Sequence, residues 1–412
     1  MYWSLSAPPS LFVNARSLAG RLSTLFSQRW PGSTVELFGS CASGLAGPNS
    51  DVDLVAHGHA ELARGDPAAI VKVHDFLEER ELDLVGFRPV LNARVPILRF
   101  TARIDDQALN VDLSLGQPVK VYNSLLVKAY AAERRAKVLL RLVQGWAKAR
   151  GVATVFIEHT PSPYAHALLV ITFLQTVVGV QNLQQRYHMP YDQPTFVDGI
   201  DVTGIGRLLP QSESRCWDRP SRFRIVHYLL HEYFLWLSNQ LDPFRNGRGV
   251  SAVVSPRLGT VTLKSMTDSE SWRLSIEDPV EHFDSARPRD LGDVLNQTGQ
   301  MKFFSEVQRA CLLLGGPNDW LSKSQSIRAL FAPVETSTAP PLPLVKVITQ
   351  DGRTRWKPAP RPGAANPPVP VAAAADSAEL ASIAVPQPDA PEDAGAFGLE
   401  GLSLGAASDD AP

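Results

Sequence analysis

Phe38-Gly-Ser-Cys-Ala-Ser-Gly-Leu45, followed by Ser50-Asp-Val-Asp-Leu54, decides how the front of this chain is read. Thr34–Phe38 carries a strand signal, the small residues from Gly39 to Gly44 form a turn, and Ser50–Val55 reads as a second strand. A strand repeats every two residues, so Asp51 and Asp53 point to the same face. Two carboxylates side by side repel unless a cation lies between them. Asp112 sits in Leu109-Asn-Val-Asp-Leu-Ser-Leu115, where apolar and polar residues alternate. A sheet pairing these strands would set it beside the first two. Three hard oxygen ligands suit Mg²⁺. Two such ions about 3.5–4 Å apart can activate an attacking hydroxyl and stabilise a leaving phosphate oxygen. On spacing alone Asp51 and Asp53 also fit a turn cap with surface ion pairs. The upstream Gly39-Ser40 turn makes the combination more specific, because backbone amides and a hydroxyl there suit a phosphate.

The 412 residues suggest two or three domains at roughly 100–200 residues each. Lys and Arg number 40 against 42 Asp and Glu, a formal net charge of -2. Binding of nucleic acid by bulk charge is thereby excluded, and any such contact needs a local patch. Cys41, Cys216 and Cys311 are scattered and odd in number, which excludes a disulfide framework or a CxxC zinc site and points to a reducing compartment. No apolar run reaches the ~18–20 residues of a membrane span. The nearest, Tyr164–Val180, is interrupted by His166, Thr172, Gln175 and Thr176 and reads as a buried helix.

The first residues carry Arg16, Arg21 and Arg29, several serines and no acid before Glu36. That composition fits a mitochondrial transit peptide. Leu11, Val13, Leu18, Leu22, Leu25 and Phe26 equally fit the first helix of the fold. Helical patterning follows over Ile70–Glu81, strands over Val95–Phe100 and Leu109–Leu115, then helices over Leu125–Ala132, Val138–Arg150, Tyr164–Val180 and Ile225–Leu241. Val250–Val254 and Thr260–Leu263 suggest a hairpin. The expected class is α+β: a catalytic unit over 1–118, a mainly helical unit over 119–332, and a tail over 333–412. From Pro333 onward lie 14 of the chain's 33 prolines, with Ala tracts and ten acids against five bases. A segment so poor in large apolar residues cannot offset its ordering entropy and reads as disordered. Within it, Arg353, Arg355, Lys357 and Arg361 surround Trp356, either as a contact for RNA or a partner or as a solvated linker.

The Gly-Ser turn, the Asp-x-Asp and the third strand aspartate at that spacing resemble the signature of the DNA-polymerase-β-like nucleotidyltransferases. Within them the chain is most similar to the terminal uridylyltransferases and the cytoplasmic-type poly(A) polymerases. Its compact size and Ser275-Ile-Glu-Asp-Pro-Val-Glu281 resemble the minimal kinetoplastid uridylyltransferases, a group that includes a mitochondrial, editosome-associated enzyme. The resemblance implies a palm-like mixed-sheet domain, a helical poly(A)-polymerase-associated domain and a nucleotide cleft between them.

It also implies roles for particular residues. Asp51, Asp53 and Asp112 would hold two Mg²⁺ (or Mn²⁺) ions and carry the catalysis, with Asp112 helping to deprotonate the RNA 3′-hydroxyl. Phe38, Gly39, Ser40 and Ser50 would border the triphosphate. Asn123 and Ser124, in Val121-Tyr-Asn-Ser-Leu125, match an Asn-Ser/Thr pair that holds the ribose, although Asn and Ser also suit a helix N-cap. Lys148 matches one of two lysines expected on a helix against the phosphates; Gln144 stands in the other position. Tyr164, after Ser162-Pro163, matches an aromatic that stacks on the base. Asp278 and Glu281 match acids that accept from uracil N3–H through water, although Asp-Pro followed by Glu also suits a helix N-terminus. Arg94 and Arg99 lie where relatives hold the RNA end.

The resulting expectation is template-independent transfer of UMP from UTP to the 3′ end of single-stranded RNA, with release of pyrophosphate. Involvement in RNA processing or editing, a recruiting multiprotein complex and no membrane go with it, in mitochondria or else in the cytoplasm. The alternatives are an ATP-using poly(A) polymerase and a weakly active RNA-binding scaffold, the latter motivated by Gln144 and Pro163.

Overall fold

Pro9 opens helix α1 (Pro9–Arg29), where its fixed φ suits a helix start and its missing N–H costs nothing. Leu11, Leu18, Leu22 and Phe26 recur on one face and are all buried. The segment whose composition fits a targeting peptide also folds as a packed helix of the core. Phe26, Trp30 and Phe76 close an aromatic cluster with ring centroids 5.0 to 6.0 Å apart. The computed structural model describes residues 6–63, 65–80, 82–93, 95–116, 118–186, 196–197, 200–201, 222–246, 248–282, 288–316, 320–333, 344–348 and 354–358.

The front of the chain continues through β1 (Thr34–Phe38), the short α2 (Gly39–Ser43), β2 (Val52–His57), one turn α3 (Ala60–Ala63), α4 (Pro67–Glu78), β3 (Leu84–Val90), β4 (Ile97–Ile104) and β5 (Gln107–Leu115). The sheet order is β1-β2-β5-β4-β3. Only β2 and β5 pair in parallel; the other neighbours are antiparallel, so the sheet is mixed. The α3–β4 segment supplies the crossover that a parallel pair requires. Strand β3 escaped the sequence pattern because Gly86 and Pro89 break its alternation. Both are tolerated because β3 is an edge strand with a bulge between Val85 and Arg88.

The second half runs through α5 (Val119–Ala131), α6 (Arg134–Ala149), α7 (Val155–Glu158), α8 (Pro163–Phe173), α9 (Leu183–Arg186), the two-residue strands β6 (Phe196–Val197) and β7 (Ile200–Asp201), α10 (Arg222–Trp236), β8 (Ala252–Ser255), β9 (Thr260–Leu263), β10 (Ser275–His282), β11 (Pro288–Asp290), α11 (Gln297–Leu314) and α12 (Trp320–Leu330). Helix α8 is apolar all round and buried from Ala165 to Phe173, as a central helix must be. Trp146 of α6 meets His166, Phe234 and Phe303 at centroid distances of 6.0, 4.7 and 6.4 Å. Strands β8 and β9 form the hairpin read from the sequence, and β10 joins β8 in parallel. The Glu277–Glu281 segment is therefore strand, not a helix N-terminus.

The apolar core falls into two clusters. One spans Ala7–Leu115 beneath the five-stranded sheet; the other takes Leu45 and then Val119–Leu330. This is the mixed α+β class expected from the sequence. Residues 337–412 form a separate unit. Within it β12 (Leu344–Ile348) and β13 (Thr354–Pro358) pair antiparallel, with Lys346 opposite Trp356. The rest of the tail, including Arg361, lies outside the described residues.

Phe26→Ala removes the ring that joins α1 to α4 and should cost about 3–5 kcal/mol of stability, measurable by chemical denaturation.

Candidate active site

The sheet register places one row of side chains across all five strands. Phe38 pairs with Asp53, Asp53 with Asp112, Asp112 with Arg99, and Arg99 with Arg88. Asp51 immediately precedes β2, two residues before Asp53, and is exposed, while Asp53 and Asp112 are half-buried. The parallel pairing of β2 with β5 is what brings three carboxylates to one place. Burial, followed by repulsion from Asp112 and Asp51, pushes the Asp53 carboxyl up to about 7. A carboxyl held near neutrality by burial and by like charges marks a site that a divalent cation would relieve, and carboxylates are the donors such a cation takes. Arg99 binds Asp112 with both ends of its fork, Nε to Oδ1 and Nη2 to Oδ2, each at 2.6 Å.

Gly39 adopts φ +67°, and a Cβ there would lie 2.1 Å from Asp53 Oδ2. Only glycine lets the turn pass this close to the acid. The Gly39 amide donates to Ser124 Oγ at 2.8 Å, and that hydroxyl donates to the Lys120 carbonyl at 2.8 Å. Ser124 thus fastens the turn of the first half to helix α5 of the second. Arg141 makes a parallel tie through the Gly44 carbonyl at 2.9 Å. Ser40 follows Gly39 in α2, and its carbonyl receives the amides of Leu45 and Ala46 at 2.9 and 3.0 Å. The Ser50 hydroxyl accepts from Gly47 N at 2.8 Å and shapes the loop before β2.

A second set of polar groups gathers around β10. Asp278, nearly fully buried, accepts from the backbone amides of Val280 and Glu281 at 2.9 and 3.0 Å. Tyr164 OH donates to it at 3.3 Å, and Asn123 Nδ2 approaches its other oxygen at a long 3.5 Å. Burial raises the Asp278 carboxyl to about 6, the two backbone donors holding it down against Glu281. Tyr164 is raised well above the ordinary tyrosine range by burial and by the Asp278 charge. Asn123 Oδ1 is buried without a hydrogen-bond partner. Glu281 is paired with Arg289.

The structure therefore joins Phe38, Gly39, Asp51, Asp53, Asp112 and Arg99 at one end, and Asn123, Tyr164, Asp278 and Glu281 at the other, with Ser124 between. Lys148 lies in the last turn of α6, exposed, with no contact to either group among the described residues. Arg94 lies outside the described residues. Pro163 occupies the first position of α8, behind the Ser162 side chain that caps it, so it has a structural reason to be there.

Three neighbours were not singled out from the sequence. Lys120 stands one helical turn before Asn123 and Ser124, a spacing that shares a face and was legible. Its ammonium lies 5.2 Å from the Phe38 ring centroid. Arg88 required the β3 register and Arg289 the β10–β11 pairing, neither of which has a sequence signal.

Residues 2–132 match the central palm domain of the mitochondrial-like poly(A) RNA polymerases. The chain is a nucleotidyltransferase, similar to the terminal uridylyltransferases and poly(A) polymerases. It is 24% identical over 321 residues to terminal uridylyltransferase cid1 of Schizosaccharomyces pombe, covering 74% of each chain. It shares the fold of a cytoplasmic RNA terminal U-transferase, with a TM-score of 0.63 at 23% identity over 81% of this chain and 96% of that one. It also shares the fold of a mitochondrial poly(A) polymerase solved with UTP, with a TM-score of 0.63 at 16% identity over 81% and 71%.

The raised Asp53 carboxyl fixes a pH dependence. Its charged form is disfavoured by folding, so without divalent ions this nucleotidyltransferase should lose stability as pH rises from 3.8 to about 7. In Asp53→Asn that part of the decline should vanish. Thermal melts across this window check both, and Mg²⁺ should raise the midpoint more at pH 7.5 than at pH 5.5.

Proposed function

We propose that this enzyme adds UMP from UTP to the 3′-hydroxyl of single-stranded RNA and releases pyrophosphate. The observation that carries the base choice is the buried Asp278, flanked by Tyr164, Asn123 and Glu281. With its carboxyl near 6 it is mostly ionised at pH 7 and acts as an acceptor. Uracil offers an N3–H donor at its pairing edge; cytosine and adenine present ring-nitrogen acceptors there instead. A buried carboxylate rejects an acceptor strongly, because both groups would be left unpaired. The orphaned Asn123 Oδ1 suits a ribose 2′-hydroxyl, and the Tyr164 ring offers a stacking surface.

In this reading residues 1–118 supply catalysis, 119–332 the base pocket, and 333–412 an appendage. Asp51, Asp53 and Asp112 fit a pair of Mg²⁺ or Mn²⁺ ions. When bound there, such ions lower the pKa of the attacking hydroxyl and neutralise the leaving pyrophosphate. Asp112 accepts the proton of the RNA 3′-hydroxyl. The new 3′-O–P bond forms as the α–β phosphoanhydride bond breaks. The Ser40 amide and hydroxyl, together with Ser50, border the phosphates; Lys148, exposed at the end of α6, would have to extend toward the cleft to reach them. Arg99 exchanges part of its hold on Asp112 for phosphates of the primer, with Arg88 paired beside it and Arg94 assigned to the same RNA end. An unpaired 3′ end is the natural substrate, since a cleft between two domains admits a splayed terminal nucleotide.

The palm match to poly(A) polymerases supports a second reading, in which ATP is the donor. The chemistry is then unchanged and Asp278 does not select the base. The third, a scaffold of little activity, draws on the neutral Gln144. Residence in mitochondria, within an RNA-processing or editing complex, is part of the proposal. It is supported by the basic, acid-free segment before Glu36 and by the mitochondrial-like palm. Burial of α1 argues that this segment stays with the fold. No helix among the described residues is long and apolar enough to cross a membrane.

Primer extension on a short single-stranded RNA with each nucleoside triphosphate in turn is the test. UTP alone should extend it, and Asp112→Ala should abolish extension. Asp278→Asn should lower kcat/KM for UTP by roughly tenfold or more while narrowing the gap to ATP and CTP. Extension mainly with ATP would transfer the assignment to the second reading.

A further inference from the structure

Helix α5 turns three polar residues to the site: Lys120, Asn123 and Ser124, at positions i, i+3 and i+4. Two have defined partners. Ser124 is bound to Gly39, and Asn123 reaches Asp278. Lys120 is different. Its ammonium rests against the face of Phe38 and lies in the field of Asp53 from the sheet and of Glu281 from β10. Among the described residues no hydrogen bond or ion pair engages it. An ammonium that is largely withdrawn from water and touches no oxygen is a poorly satisfied charge. Two other cations nearby are committed. Arg99 is held by Asp112 through two bonds, and Arg289 is paired with Glu281.

Lys120 therefore occupies the interval between the carboxylates that would hold metal and those that would read the base. A nucleotide laid across that interval presents its ribose and α-phosphate there, and the α-phosphate is the anionic part. The geometry points to Lys120 as a nucleotide-binding cation that contacts the α-phosphate of the incoming ribonucleotide. This rests on the nucleotide-transfer reading of the cleft. It also gives a reason why the site tolerates a neutral Gln144 on α6: a cation is supplied from α5 instead. The Phe38 ring steers the lysine stem, because a cation over a ring face is attracted to it and held in one sector.

The test is a set of equilibrium titrations without RNA, using uridine, UMP and UTP on the full chain in Mg²⁺, together with Mg²⁺ titrated alone. Lys120→Met should weaken UMP and UTP by roughly tenfold each, the loss expected for one charge-assisted hydrogen bond, and leave uridine unchanged. Lys120→Arg should recover most of the loss. Mg²⁺ alone should bind Lys120→Met as well as or better than the parent protein, since a competing cation is gone. A thermal melt verifies folding, and Lys120→Gln serves if the methionine variant is unstable.

Equal weakening of uridine and UMP would overturn the phosphate contact, as would unchanged UMP and UTP affinities. A parallel loss of Mg²⁺ affinity would show that Lys120 only orders Asp53, and would also overturn it. If the parent protein bound no nucleotide, the nucleotide-transfer reading would fall together with this one. If it preferred ATP, only the base assignment would fall, and the ratio of AMP to adenosine would decide the role of Lys120 in the same way.

Discussion

The parallel pairing of β2 with β5 is the constraint on which the rest depends. It sets Asp53 directly beside Asp112, with Asp51 two residues away on the same face. The arrangement works against the folded state, because three like charges converge and two of them are half-buried. Burial and repulsion together hold Asp53 near neutrality, and Arg99 offsets part of the charge by clamping Asp112. Catalytic sites commonly carry such local disfavour, and the surrounding core must outweigh it. Here the core beneath the sheet does so, with Val52, Leu54, Val111 and Leu113 fully buried on the two strands that carry the acids.

The second dependence is on glycine. Gly39 passes so close to Asp53 that any side chain would collide with it, and its amide is the donor that meets Ser124. One residue therefore fits the turn against the acid and links it to α5. Through α5 the same link reaches Lys120 and Asn123, so the carboxylate cluster and the polar group around Asp278 share a rigid element. Rotation of the helical part relative to the sheet would strain this hydrogen bond together with the Arg141–Gly44 tie. That gives a physical reason for a serine at position 124 beyond any direct contact with a nucleotide.

The cluster around Asp278 is built by a different device. Asp278 lies on a strand that begins in the β8–β10 pairing, and its carboxylate is fixed by two amides of its own chain. That local loop of hydrogen bonds orients it before any ligand arrives. Tyr164 from α8 and Asn123 from α5 then converge on it from elements far apart in sequence. Preorganisation of this kind makes a polar pocket discriminating, since a mismatched base would leave buried groups unpaired.

The amino-acid sequence by itself determined the class and the acids. The alternation around Asp112, the period-two spacing of Asp51 and Asp53, the Gly-Ser turn and the 3.6-residue apolar rhythm of the later helices are local patterns, legible without coordinates. The α+β class follows from them, and so do most helices and strands. What local pattern cannot carry is pairing. Strand β3 was hidden by Gly86 and Pro89, which an edge strand accepts for reasons of position and not of composition. The row from Phe38 to Arg88 exists only through four registers. The strand state of Asp278-Pro279 overrode a plausible helix start, because the flanking residues Ser275–Glu277 and His282 are held by β8 and β11. Lys120 shows both sides of the division. Its helical spacing to Asn123 was in the sequence, but its isolation between two acidic clusters was decided only when the sheet and β10 closed around it.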